Sequence, residues 1–303
     1  MIHLARALRT LPAALAVVCL GGEAQAQAQA PAARSFVSVS PVFEEADLDG
    51  GGDFRVGGAI LRAGSVTGFG EGHRVGLTLN YDYFDYSFGE PAAFGGVAPW
   101  HVVQRYGFSV PLSFALQDGW VLGVSPQMDW FLENGAKTSD ALVWGAAVTA
   151  LKRFDDGNVL GLGLAAFSGI EENTFFPFPI VNWQFSPRWR LINPLAAGPT
   201  GPAGLELDYL ADGGWTIGVG AAWRTTRYRL SETGPVPNGV GEISGAPIFL
   251  RVSREFLGAY TLNLYAGVVA GGRLRVEDAD GRKIAEDDFG TSPIFGANVT
   301  FRF

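Results

Sequence analysis

The sequence holds one cysteine, two methionines and three histidines in 303 residues, and only 17% of its residues are charged. A lone Cys19 rules out a disulfide framework. Three scattered histidines (His3, His73 and His101) leave little material for a metal centre or for histidine-based catalysis. The net charge of −8 excludes a surface built to neutralise nucleic-acid phosphates. Disorder needs low hydrophobicity and high charge, and 48% of this chain is hydrophobic. Long apolar runs are also missing. Beyond the first thirty residues no stretch reaches the roughly 18 consecutive apolar residues of a membrane helix.

The first thirty residues read as an export address. Arg6 and Arg9 precede the apolar stretch from Leu11 to Leu20, and Ala24-Gln25-Ala26 follows. A basic segment, a short apolar segment and an Ala-x-Ala site predict a secretory signal peptide over residues 1–26. Val18 is a poor neighbour for lipoprotein processing at Cys19, so that thiol is expected to leave with the signal. Residues 27–303 then form a single domain, since no Pro- or Ser-rich linker divides them.

Period-two alternation recurs through that domain. Phe295, Ala297, Val299, Phe301 and Phe303 alternate with Gly296, Asn298, Thr300 and Arg302. Similar alternation runs through 107–116, 120–130, 215–224 and 262–270. Successive side chains of a strand point to opposite faces, so each segment has one apolar face and one polar or small face. Several predicted strands run 12–17 residues, against the 5–6 usual in soluble sheets. Trp120 and Trp130, and Trp215 and Trp223, stand near the ends of apolar faces, as an interfacial girdle requires.

Fourteen strands are expected: 35–44, 53–65, 73–87, 101–116, 119–131, 140–154, 158–169, 176–185, 188–193, 203–211, 214–230, 245–255, 258–276 and 292–303. The weakest are 35–44, 176–185 with its two prolines, and the short 188–193; losing a pair would leave twelve. Tight turns at 117–119, 155–157, 186–187, 211–213 and 255–258 alternate with longer segments at 45–52, 88–100, 132–139, 170–175, 194–202, 231–244 and 277–291. Short periplasmic turns and longer outer loops are the pattern of an outer-membrane barrel. The fold class is therefore all-β: a closed antiparallel transmembrane β-barrel of about 14 strands with periplasmic termini.

The terminal Phe303, with apolar residues at alternate positions back to Phe295, resembles the insertion signal of Gram-negative outer-membrane β-barrel proteins. Residues 176–185, 204–209 and 228–230 resemble, more loosely, a bacterial barrel family of unknown function. The resemblance implies the bacterial outer membrane, with outer-membrane lipid, lipopolysaccharide and the barrel-assembly machinery as partners. It carries no catalytic motif.

Candidate chemistry is sparse. His101 has no serine close behind it and His73 falls at a periplasmic turn, so a barrel lipid hydrolase is a distant third reading. Asp47-x-Asp49 and Asp278-x-Asp280 echo the start of a calcium loop without its later ligands, and a solvated hairpin is the plainer reading. No enzyme activity, cofactor or metal is expected. The remaining charges are more informative. Asp82, Arg105, Asp129, Glu206, Asp208, Arg224, Arg251 and Arg302 all fall on the polar face, where a wet lumen tolerates what lipid would not. A three-residue loop at 116–118 would set Arg105 directly opposite Asp129, with Asp82 completing an ion-paired group. Inward glycines at 123, 145, 161, 163, 218, 220 and 267 suggest open space, and Gly218→Ser is expected to be nearly silent. The leading expectation is a passive pore for small hydrophilic solutes; the alternative is a structural or sensor barrel whose lumen is closed by ion pairs.

Overall fold

The structure is a computed structural model that describes residues 34–303; the expected signal peptide lies outside the described residues. Fourteen strands close into one antiparallel barrel. They are β1 (Arg34–Asp47), β2 (Asp53–Phe69), β3 (His73–Gly89), β4 (Val102–Ser109 continued by Leu112–Ala115), β5 (Trp120–Glu133), β6 (Leu142–Arg153) and β7 (Val159–Ser168). Then follow β8 (Asn173–Ser186), β9 (Trp189–Ile192), β10 (Gly204–Leu210), β11 (Trp215–Ala222 continued by Arg224–Arg229), β12 (Val240–Phe256), β13 (Tyr260–Glu277) and β14 (Lys283–Phe289 continued by Ser292–Arg302). The ends meet where β14 pairs with β1, for example Phe295 with Phe43 and Phe301 with Val37.

Alternation decides which face is which. Val37, Val39, Leu77, Leu79, Leu122, Val148, Leu162, Leu164, Val219, Leu250 and Val299 are exposed on the outer surface. Ser38, Ser40, Asn80, Gln127, Glu206, Asn263 and Asn298 are buried inside. A soluble fold places these two sets the other way round. An apolar belt this extensive belongs in a bilayer. Aromatic and cationic groups mark its lower rim: Arg254 lies 4.9 Å from the Trp215 ring and Lys152 5.8 Å from that of Trp120. The insertion-signal residues Phe295, Ala297, Val299, Phe301 and Phe303 all point outward, with Phe301 stacked on Tyr260 at 4.6 Å.

The structure differs from expectation at the outer end. The segments 231–244 and 277–291, expected as loops, are in part strand: β12 begins at Val240, and Lys283–Phe289 extends β14 against β13. Above the bilayer no lipid selects an apolar outer face, so Glu242, Glu277 and Asp287 sit in strands whose alternation is lost. The outer half of β11 leans across the mouth, and Arg229 pairs in parallel with Leu132 of β5.

Candidate functional site

The lumen is in two storeys. The lower is polar and tightly bonded. Asp82 and Arg105 face each other directly across β3 and β4. Arg105 binds Asp129 through Nε and Nη2, both at 3.1 Å, and reaches Asp82 at 3.5 Å. Arg62, from β2, forms two bonds to Asp82, one of them 3.1 Å long. Asn80 and Gln127 donate further hydrogen bonds to Asp129.

The expected opposition of Arg105 and Asp129 is corrected by the register. Arg105 lies opposite Phe131, and Asp129 opposite Gly107. The turn is centred on Asp118, where Asp118 and Gly119 take positive φ (56° and 74°), so that Leu116 bonds back to Trp120. Asp129 reaches Arg105 diagonally, over the vacancy that Gly107 leaves.

A second group crosses the opposite wall. Arg251 of β12 donates to Glu206 at 2.6 Å and to Asp208 at 2.8 Å on β10, and to Asn263 on β13 at 2.9 Å. Arg190 of β9 takes the other oxygen of Asp208 at 2.7 Å. Asn263 continues to Asn298, and Asn298 to Ser38 and Ser40, at 3.1, 2.6 and 2.8 Å. Arg224 pairs with Glu44, which also accepts from Ser292 at 3.1 Å. Arg302 has the same inward parity but is exposed at the periplasmic rim, on Thr261 at 2.9 Å.

Arg62, Glu44 and Arg190 were not singled out from the sequence. Strand parity reaches Arg62, but Gly57, Gly58, Ala59, Ala63 and Gly64 around it blur the alternation. Neither histidine meets a serine: His73 Nδ1 accepts from the Ala115 amide at 3.1 Å, and the His101 amide donates to Glu133 at 2.9 Å. Asp278 caps its own hairpin, accepting from the Asp280 and Arg282 amides, both at 2.9 Å.

The inward glycines do not leave open space. The Phe167 ring lies over Gly145, Phe178 over Gly163, and Phe249 against Gly220 and Gly267. Gly218 is covered by the Glu206 and Asp208 carboxylates, so a serine there is not silent.

Across the lumen lies the segment 193–203, between β9 and β10. Pro194 ends β9 because it cannot donate to the ladder, and the chain then turns inward. Pro199 rests against Gly296 of β14, Ala197 accepts from Ser40 of β1, and Pro199 accepts from Arg224 at 3.4 Å. These contacts reach the far wall.

The upper storey, above this segment, has an apolar wall. A cavity of about 130 Å³ is walled mainly by Val42, Val56, Ile60, Phe131, Phe167 and Ile243. Its polar part is larger than the lower group alone: Glu44, Arg62, Asp82, Arg105, Arg224 and Arg227 line it, with Glu172 and three threonines (Thr174, Thr225 and Thr226). Gly169, Ile170 and Glu172 are shared with a polar mouth of about 490 Å³ that Asp140, Glu171, Arg229, Asn238 and Ala279 surround. The inward face is thus polar in the lower part of the strands and again at the mouth, with an apolar wall confined to the cavity between them, where a pore for small hydrophilic solutes was expected.

No family model and no curated protein matches the chain in sequence. Solved structures of similar architecture include an outer membrane channel from Pseudomonas putida F1, at 11% identity and a TM-score of 0.47, covering 93% of this chain and 98% of that one. The Pseudomonas putida toluene transporter TodX has 10% identity and a TM-score of 0.47, with 96% and 95% covered. A FadL homologue of Pseudomonas aeruginosa has 10% identity and a TM-score of 0.33, with 89% of each chain covered. Nothing about cargo is carried over from them. The apolar belt and the closed strand order describe an integral outer-membrane β-barrel.

Proposed function

We propose that this barrel is a passive passage for small molecules across the outer membrane, closed at rest by the segment 193–203. The observation that carries this reading is the nature of the obstruction. The segment is anchored at its ends, by Asn193 on β8 and Ala203 on β11, and spans the lumen with uncharged, mostly small residues that accept from the wall at Ala197 and Pro199, while every wall strand keeps its partners below it. An obstruction that can move without breaking the sheet suits a gate. On this reading the chain is not an enzyme and needs no cofactor. Outer-membrane lipid and lipopolysaccharide surround it, and the barrel-assembly machinery reads Phe303. The apolar upper wall suits a cargo less polar than the hydrophilic solutes that the sequence suggests.

The two buried ion-pair groups favour the second reading, a structural barrel with a permanently closed lumen. Planar-bilayer conductance separates the two. Replacing 195–201 by a two-glycine link is expected to raise single-channel conductance at least tenfold over the parent. A folded variant that conducts no better than the parent would establish the closed barrel instead.

A further inference from the structure

The barrel wall has an unpaired edge. β8 pairs with β7 along its whole upper length, from Asn182 with Val159 to Asn173 with Ser168. On its other side it pairs with β9 only from Asn182 to Ser186, because β9 is four residues long. Above that, Asn193 exchanges hydrogen bonds with Val181 and donates to Pro179 O at 3.2 Å. Among the described residues no strand continues the ladder along 173–179.

The sequence matches this edge. Amide and carbonyl of one residue point the same way in an antiparallel ladder, and alternate residues point to opposite sides. Val181 bonds toward β9, so positions 179 and 177 face that side too, and both are proline. Proline within a sheet is confined to places where no ladder donor is needed. Pro177 and Pro179 are in register with Leu164 and Leu162 of β7, and Leu164 with Val148 of β6, all outward in the apolar belt. The edge therefore opens toward lipid.

The cavity lies directly behind it. One side of the gap supplies Gly169, Glu172 and Thr174 to the cavity wall, and the other supplies Gly201, Thr225 and Thr226. At its upper end Arg227 bridges the two sides, pairing with Glu172 at 3.4 Å and donating to Ile170 O at 3.3 Å, so the opening lies below that bridge. We infer that the gap between β8 and the upper half of β11 is a lateral portal, through which small lipid-soluble molecules exchange between the outer leaflet and the lumen cavity. The inference rests on the passage reading and gives it a cargo class. A molecule that enters from hydrocarbon and rests against Val56, Ile60, Phe131 and Ile243 has an apolar body. An apolar cavity of roughly 150 Å³ accommodates a benzene ring, which sets its size. Arg62 Nε is buried beside the cavity without a hydrogen-bond partner and offers one donor to a polar substituent.

The test uses the full chain, purified from membranes and held in liposomes. Cys19→Ser provides a thiol-free background, and Ile60→Cys places one thiol in the cavity. N-phenylmaleimide, which dissolves in lipid, is the probe. Modification is expected to slow at least tenfold when either lip is filled, by Thr174→Trp or Thr226→Trp, and to change less than twofold when Ala279→Trp narrows the outer mouth. Slowing by Ala279→Trp alone would overturn the portal and leave the passage reading standing. No modification in any barrel would overturn both. Should neither lip variant fold, a maleimide fixed to a phospholipid acyl chain replaces the small probe. It is expected to modify Thr174→Cys at least ten times faster than Ser38→Cys, and equal rates would overturn the portal.

Discussion

Gly107 and Asp129 face each other across β4 and β5, and the carboxylate of Asp129 occupies the place where a side chain at 107 would stand. The charge on Asp129 reaches Arg105 only because its opposite number has no side chain. A Cβ at 107 would meet both the Asp129 carboxylate and the Met128 carbonyl. Gly107→Ala is therefore expected to lose ~1–3 kcal/mol, in the manner of other overpacked sites. Urea titration of the barrel in detergent micelles measures it; an unchanged midpoint would remove Gly107 from the ion-pair design.

Arg105 serves two carboxylates in a site almost without water, its side chain 3% exposed. Removing one partner of a buried pair costs ~3–5 kcal/mol, because the charge left behind is unpaired. Arg105→Ala should lose about that much, and Arg105→Ala with Asp129→Asn should recover part of it. A double variant no more stable than the single one would show that the coupling is not between these two groups.

On β11 the two faces can be compared one residue apart. Val219 is 53% exposed on the lipid side, and an arginine there is expected to cost ~2–4 kcal/mol if it lies at the bilayer midplane. Gly218 lies inside, under the Glu206 and Asp208 carboxylates, so Gly218→Ser is expected to cost ~1–3 kcal/mol by crowding. The two losses differ in origin. Refolding into thinner bilayers should relieve the arginine and leave the serine unchanged, and an equal response of both would refute the assignment of faces.

Deleting Phe303 should leave secretion intact and abolish assembly. Its side chain is exposed at the end of the outward stripe and packs on Phe301 at 5.2 Å. The ring therefore holds little of the fold together, and its loss is expected to appear as missing heat-modifiable protein in the outer membrane. Normal amounts of inserted barrel would exclude a signalling role for that residue.

The strand count, the closure and the inward charges were legible because lipid enforces alternation: wherever a strand crosses the bilayer, a polar residue must face in. That rule fails outside the belt, which is why Lys283–Phe289 looked like loop and the reach of β12 to Val240 was missed. It also says nothing about register. One residue in the placement of the turn at Asp118 moved Arg105 from Asp129 to Phe131. Glycine was misread for a related reason. Its missing side chain marks a vacancy, but whether Phe178 fills the vacancy at Gly163 depends on the neighbouring strand. The inward turn at 193–203 has a local cue in Pro194, whereas its contact with Gly296 on the far wall has none.

Pro177 and Pro179 have a further consequence. A sheet with an open edge is a template: any chain with a spare strand can add to it, and two such barrels can join through their edges. Such growth needs donors on the exposed rim. Along this rim two successive donors are missing by covalent structure, so the barrel can keep a gap in its wall without recruiting a neighbour's strand during insertion.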